Sequence, residues 1–355
     1  LAIKPDYADA YNNMGNALQE YGKLEEAIQA FKRALSIRPD YAKALYNSSL
    51  VCLLNGDLIR GFELYEWREC KDKSTSSPPR AQYVWDGKQP VMGKHFVVLE
   101  EQGFGDIVQF CRYLRLLEDK GAKVSFKATK KLHKLIGTLG SQTKLISEIP
   151  PEDAIDFVSP LMSLPHLLKT DLDSIPASHP YLFANAERIE FWRERLSKNS
   201  FKVGICWQGS KSKADLGRSF PLALFEDISK IPNVDLISLH KGDGENQIEK
   251  ISFNVKTFGS EFDFGPNAFI DSAAVMKNCD LIITSDTAVA HLAGALHCNT
   301  WVVLKSVPDW RWMLERTDSP WYPTMTLYRQ KIRGDWIGVF AQIKDDLQTL
   351  IRIKG

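Results

Sequence analysis

Asp280-Leu281-Ile282-Ile283-Thr284-Ser285-Asp286-Thr287-Ala288-Val289-Ala290-His291-Leu292-Ala293-Gly294-Ala295-Leu296 decides the fold of this chain. Leu281 to Thr284 is a short apolar run rich in β-branched residues, the pattern of a buried parallel strand. Ser285-Asp286-Thr287 is a helix-start cluster, and Ala288 to Leu296 reads as a small-residue helix that breaks near Cys298-Asn299. Thr300 to Leu304 is a second buried strand. Strand, turn, helix and strand in that order place the helix start at the carboxyl edge of a parallel sheet, where open α/β folds bind ligands. Free amides and the helix dipole suit that point to an anion such as a diphosphate; an ordinary capped crossover helix is the alternative.

Working outward, Lys202 to Trp207 reads as the first strand of the same half, feeding Gln208-Gly209-Ser210-Lys211-Ser212-Lys213 and then Arg218-Ser219-Phe220-Pro221. That Gly/Ser/Lys loop is either a phosphate cradle or a solvated loop, and its glycine spacing is not that of a P-loop. Leu222 to Lys230 reads as a helix, Val234 to Leu239 as a strand ending at His240-Lys241-Gly242, and Asp271 to Asn278 as a helix. The aromatic, Arg-bearing segments Val307 to Trp312 and Ser319 to Pro323 suit a sugar-nucleotide cleft, Trp310 by stacking and Arg311 by pairing with phosphate. Ile337 to Ile351 is a closing amphipathic helix.

An upstream half repeats the plan. His95 to Leu99 reads as a strand leading into Glu100-Glu101-Gln102-Gly103-Phe104-Gly105-Asp106, and Ile107 to Asp119 has helical periodicity. Lys123 to Ala128 and Ile155 to Val158 read as strands, Lys130 to Leu139 and Met162 to Leu168 as helices, and Ala186 to Leu196 as a helix bridging the halves. Gly103 and Gly105 let backbone approach a ligand, but a third glycine of the dinucleotide fingerprint is missing. Asp106 at the helix start is either a cap or a general base aimed into the cleft. His291, one turn into its helix, is either a phosphate donor or a core histidine. His133, His166, His179 and His240 lack metal-ligand spacing, so no metal site is expected.

The amino-terminal stretch is different in kind. Pro5-Asp6-Tyr7-Ala8 recurs as Pro39-Asp40-Tyr41-Ala42, a step of 34 residues, with Gly22 matched by Gly56 and Phe31 by Tyr65. That period is the helix-turn-helix signature of tetratricopeptide repeats. Helices are expected over Ala8 to Tyr21 and Leu24 to Ser36, with Gly15 and Ala27 at the close approach; Ser49 and Gly61 take those places in the second copy. Leu1-Ala2-Ile3-Lys4 matches Leu35-Ser36-Ile37-Arg38, so at least one further repeat is expected upstream. Asn12, Asn13, Asn16 and Asn47 are suited to peptide backbone contacts; a purely structural collar is the alternative.

The chain has 355 residues, with 45 basic and 44 acidic side chains, so no global field points to nucleic acid. No apolar run is long enough for a membrane span, and the six cysteines are scattered without a CxxC pair, which fits a reducing cytoplasm. The expected division is repeats over 1–71, a linker over 72–92, a first Rossmann-like half over 93–185, a bridge over 186–200 and a second half over 201–355.

Gly103-Phe104-Gly105-Asp106 together with Ser285-Asp286-Thr287-Ala288-Val289-Ala290-His291-Leu292-Ala293 resembles glycosyltransferase family 9, the bacterial heptosyltransferase-like enzymes. The whole chain resembles the variety in which tetratricopeptide repeats precede that domain. The resemblance implies tetratricopeptide helices followed by a GT-B fold, two Rossmann-like α/β halves across a cleft. It implies metal-independent, inverting transfer of a sugar from a nucleotide-sugar donor, with no cofactor. Asp106 would then deprotonate the acceptor hydroxyl, with Gln102, Gly103, Gly105, Trp310 and Arg311 lining the acceptor side. Asp286 would fix the donor loop, and the amides of Thr287, Ala288 and Val289 with His291 would hold the diphosphate. Arg218 would neutralise leaving-group charge, with Gln208, Gly209, Ser210 and Leu239 completing the donor site. The layout is also similar in architecture to O-linked N-acetylglucosamine transferase, so the acceptor is expected to be a protein held by the repeats. A lipopolysaccharide or other glycan transferase, and a scaffold without activity, are the alternatives.

Overall fold

The computed structural model describes residues 6–70, 84–177, 180–210 and 217–354. Four helices open the fold: α1 (Ala8–Glu20), α2 (Leu24–Ile37), α3 (Ala42–Leu54) and α4 (Leu58–Tyr65). They form two antiparallel pairs, and the repeat arithmetic has a steric cause. A Cβ on Gly15 would lie 2.5 Å from the Phe31 ring, and one on Gly61 would strike the Leu53 side chain, so neither position tolerates more than hydrogen. Gly22 and Gly56 end α1 and α3 with positive φ, the left-handed turn that glycine adopts without strain.

Two parallel sheets follow. The first contains β1 (His95–Leu99), β2 (Lys123–Lys127), β3 (Lys144–Ile146) and β4 (Phe157–Pro160), in the order β3-β2-β1-β4. The second contains β5 (Phe201–Cys206), β6 (Val234–Ser238), β7 (Leu281–Ser285), β8 (Thr300–Leu304) and β9 (Met325–Arg329), in the order β6-β5-β7-β8-β9. The strand order reverses between β1 and β4 and again between β5 and β7. Those are the two places where a doubly wound sheet opens a crevice beyond its carboxyl ends.

β7 explains why its run reads as continuously apolar. Leu281 and Ile283 face one core, with Val203, Ile205 and the helix Trp336–Lys354, while Ile282 faces the other. That other core is continuous from Phe31 and Phe62 of the repeats through Phe96 and Phe110 to Leu292 and Trp321. Repeats and both α/β halves are therefore one packed body, and Phe62 meets Trp310 and Trp321 edge-on at 5.6 and 6.5 Å.

Several elements differ from the periodicity. The helix expected over Ile107 to Asp119 is two, Phe104–Phe110 and Tyr113–Asp119. Arg112 sits at the break: its Nε donates to Gln109 O at 2.7 Å while its Nη1 reaches Trp321 O at 2.8 Å. Lys130 to Leu139 is two 3₁₀ turns around a single α turn, and Leu222 to Ser229 is a 3₁₀ turn followed by an α turn. β3 and β9 are edge strands that periodicity does not predict. The bridging helix, Ala186–Arg193, belongs to the second half: Arg188 Nε and Trp192 Nε1 both donate to Asp271 Oδ1, at 2.8 and 2.9 Å. Residues 84–92, expected as linker, are anchored by Trp85, buried against Phe96.

Candidate functional site

The carboxyl ends of β1, β5 and β7 converge on one cleft of about 720 Å³. Its walls carry Gln102, Gly103, Gly105 and Asp106 from the first half. Opposite them stand Gln208, Gly209, Ser210, Arg218 and Leu239, and Asp286, Thr287, Ala288, Val289 and His291. Two motifs 180 residues apart in sequence thus share one cavity, and they touch. A Cβ on Gly105 would lie 3.0 Å from His291 Cδ2 and 3.4 Å from Ala288 Cα. Gly105 is required by this packing of one helix start on the other, with its own φ in the ordinary region.

Asp106 occupies the third position of helix Phe104–Phe110, and its Oδ2 accepts from the Gly103 amide at 3.0 Å, so it is a cap. Its Oδ1 is ion-paired with Arg311. Arg311 is buried, donates to Gln109 Oε1 at 2.6 Å and pairs with Asp309 at 2.8 Å. Arg311 lines the cleft as expected, and there its guanidinium bridges carboxylates from both halves where patterning alone suggests a ligand phosphate. Trp310 is a correction of another kind. It is 5 % exposed, is absent from the cleft wall, and is packed among Phe62, Tyr65, Phe110 and Trp321. A large ring beside a buried guanidinium is core.

On the opposite wall, helix Ala288–Ala295 begins at Thr287, whose Oγ1 accepts from Val289 N at 3.3 Å. The Val289 amide, expected to hold phosphate, is therefore already capped. Asp286 is buried, and burial with the nearby Asp309 pushes its carboxyl up to about 6. His291 is buried against Trp312, ring planes 15° apart, and its Nδ1 lies 2.9 Å from the Tyr322 hydroxyl. Burial, reinforced by Arg311, Arg112 and Arg218, holds its imidazole neutral, far below the ordinary histidine value. The guanidinium of Arg218 lies against the loop backbone, where a Cβ on Gly209 would meet its Nη2 at 2.7 Å. Lys211, Ser212 and Lys213 of the expected phosphate loop lie outside the described residues.

Residues without a sequence signal complete the wall. Lys131, Lys241, Asp263 and Phe269 line the cleft, Lys241 Nζ donating to Asp263 O at 2.9 Å. Cys206 Sγ lies 3.6 Å from His240 Nδ1, and His240 stacks on Trp207 at 4.1 Å. Only the tertiary fold brings these together, because Lys131 comes from the first half and the others from strand ends and loops scattered over the second.

The asparagines of the repeats divide. Asn12 is buried, its Oδ1 accepting from Asn47 Nδ2 at 2.9 Å across α1 and α3, so it is structural. Asn13 is exposed, and Asn16 and Asn47 are half-buried. The repeats also meet the cleft rim, where Tyr65 Oη accepts from Gln102 Nε2 at 2.7 Å. Gln102 holds φ 61, a left-handed conformation uncommon for a non-glycine residue.

Comparison with known proteins agrees with this architecture. Residues 8–41 match the tetratricopeptide repeat family. Protein FlbA of Caulobacter vibrioides is 26 % identical over 381 residues, covering 98 % of this chain, which spans 62 % of FlbA's length. Among solved structures, the glycosyl transferase family 9 protein from Veillonella parvula superposes with a TM-score of 0.54 at 13 % identity, over 74 % of this chain and 99 % of its own. ADP-heptose lipopolysaccharide heptosyltransferase II of E. coli gives 0.52 at 12 % identity, over 73 % and 99 %. The chain joins tetratricopeptide repeats to a GT-B fold of two parallel-sheet α/β halves, similar in fold to these glycosyltransferases.

Proposed function

We propose that this protein transfers a sugar from a nucleotide-sugar donor to an acceptor hydroxyl, with inversion. The observation that carries this is the meeting of Asp106 and the helix start Thr287–Ala288 in one cleft at two strand-order reversals. A donor diphosphate would rest at the start of helix Ala288–Ala295, where amides and dipole favour anions. Arg218 and His291 would add donors to it. The acceptor oxygen would lose its proton to Asp106 and attack the anomeric carbon as the carbon–oxygen bond to the diphosphate breaks. Negative charge would then pass to the leaving diphosphate, and fixed positive groups around it supply the stabilisation, with no resident metal or cofactor invoked. Arg311 suits this scheme: its ion pair aims Asp106 before the acceptor arrives, and Asp309 shares the guanidinium.

The acceptor is a protein segment delivered along α1 and α3. Tyr65 hydrogen-bonds Gln102 at the cleft rim, so a chain lying over Asn13, Asn16 and Asn47 is led toward Asp106. Among the described residues no helix is long and apolar enough to cross a membrane. Action in a bacterial cytoplasm belongs to the same proposal.

Asp106→Asn tests it. Transfer, followed with a panel of nucleotide sugars and a co-expressed acceptor protein, is expected to fall roughly 10²–10⁴-fold while nucleoside diphosphate affinity stays within about twofold. Wild-type turnover in that variant would remove Asp106 as the base. Absence of any nucleotide binding by the wild-type chain would leave a scaffold, and glycan found only on a non-protein acceptor would leave a glycan transferase.

A further inference from the structure

The hydroxyl of Tyr322 lies 2.9 Å from His291 Nδ1. Tyr322 is 1 % exposed, and burial raises its phenol above the usual tyrosine range, so the oxygen keeps its proton. His291 Nδ1 is its short hydrogen-bond partner. The hydroxyl of Tyr181 also faces that of Tyr322, but its proton goes to Val108 O at 3.0 Å and it accepts from Arg112 Nη2 at 2.8 Å. Two arrangements of the His291–Tyr322 bond exist. With the imidazole proton on Nδ1, the ring donates and the buried phenol proton must turn to the Tyr181 oxygen, which Arg112 already engages. With the proton on Nε2, the phenol donates to Nδ1 over the direct 2.9 Å contact and the Nε2–H is left for the cleft. A third state, the imidazolium, is opposed by burial and by Arg311, Arg112 and Arg218.

We infer that Tyr322 is a positioning residue which fixes His291 as the Nε2–H tautomer and so turns a neutral imidazole into a hydrogen-bond donor aimed at the donor diphosphate. The Cδ2 edge of the ring, next to Nε2, meets Gly105 at the cleft wall. Helix Ala288–Ala295 and the Tyr322 loop pack directly on each other at Gly294, where a Cβ would lie 2.2 Å from the Tyr322 ring. A donor held neutral does not titrate near neutral pH, so its bond to phosphate is constant where an ordinary histidine would switch. The proposal rests on the donor-site reading above for its ligand, but not for its tautomer.

Long-range ¹H–¹⁵N spectra of ¹⁵N-histidine-labelled protein test it, with the His291 signal identified by its loss in His291→Gln. The wild type is expected to show a protonated Nε2 and a bare Nδ1, constant from pH 6 to 8, and ADP is expected to move the Nε2–H signal. Tyr322→Phe keeps the ring against Gly294 and removes only the hydroxyl. It is expected to transfer proton population to Nδ1 and weaken ADP roughly tenfold, with a thermal transition showing that it folds. A wild-type proton on Nδ1, or a Tyr322→Phe spectrum identical to wild type, overturns the role of Tyr322. A wild-type Nε2–H signal that ADP leaves unmoved overturns the aim at the diphosphate and counts against the donor site, while the tautomer assignment stands.

Discussion

Asp286 shows how one residue can carry a cost that its neighbourhood imposes. It is buried beside Asp309, with Arg218 and Arg311 as the facing cations, and its carboxyl is pushed from 3.8 up to about 6. A raised carboxyl binds its proton more tightly in the folded state than in the unfolded one. Stability from this group is therefore complete below pH about 4 and is lost as pH rises through about 6. Replacing Asp286 with Asn is expected to remove that slope. Relative to wild type, the variant should gain on the order of 2 kcal/mol between pH 4 and 7, read from urea unfolding at each pH. A difference that stays flat with pH would show that Asp286 ionises as it does in water. A shift of Arg218 toward Asp286 would lower this carboxyl and flatten the same slope, whereas the negative charge of a bound nucleotide would raise it.

At the scale of elements, the contact of helix Ala288–Ala295 with the loop carrying Tyr322 depends on a missing side chain. A methyl group at Gly294 would occupy the space of the Tyr322 ring, which is itself packed among Trp312 and His291. Gly294→Ala is expected to cost about 1–3 kcal/mol by overpacking, seen as a lowered thermal midpoint. It should also weaken nucleoside diphosphate binding, since the helix start must move with the ring. Gly137→Ala, where a Cβ meets nothing within 4 Å, is the control and should leave the midpoint nearly unchanged. The paired helix starts explain why glycine and alanine crowd both motifs: two backbones approach closely enough that Gly105 meets Ala288 and His291 directly.

For the whole molecule, the decisive feature is that the repeats are built into the α/β body. Arg68, at the end of the repeats, is buried and donates to both oxygens of Glu101 at 3.0 and 2.8 Å, to Glu66 at 2.8 Å and to Ser163 at 2.8 Å. Glu101 also accepts from the Met162 amide at 3.1 Å, so one carboxylate ties repeats, β1 and β4 together. Removing Arg68 strands two carboxylates at a buried interface. Arg68→Ala is expected to destabilise the chain by about 3–5 kcal/mol and to open the junction between repeats and β1 to protease, whereas a hydrophobic pair of matching volume at Arg68 and Glu101 should restore resistance. Cleavage of Arg68→Ala at the wild-type rate would mean that the aromatic contacts of Phe62 and Tyr65 hold the repeats unaided.

The sequence by itself determined the local elements and the pairing of motifs. The 34-residue step fixed the repeats, and the β-branched runs fixed β1, β5, β7 and β8, because burial on both faces of a parallel sheet leaves a compositional trace. Gly105 and the Asp286 to His291 stretch were legible since close backbone approach and helix starts each demand particular residue types. The tertiary structure decided the rest. β3 and β9 are short edge strands whose periodicity is no stronger than a loop's, and Arg112 breaks a helix only because Trp321 and Tyr181 stand 209 and 69 residues away to receive it. Arg311 carries the same residue type whether it meets phosphate or Asp106. Trp310 reads alike as a stacking platform and as core, and Tyr322 gives no hint of His291. Charge pairing, burial and tautomer are properties of neighbours, and neighbours are assigned only when the chain is folded.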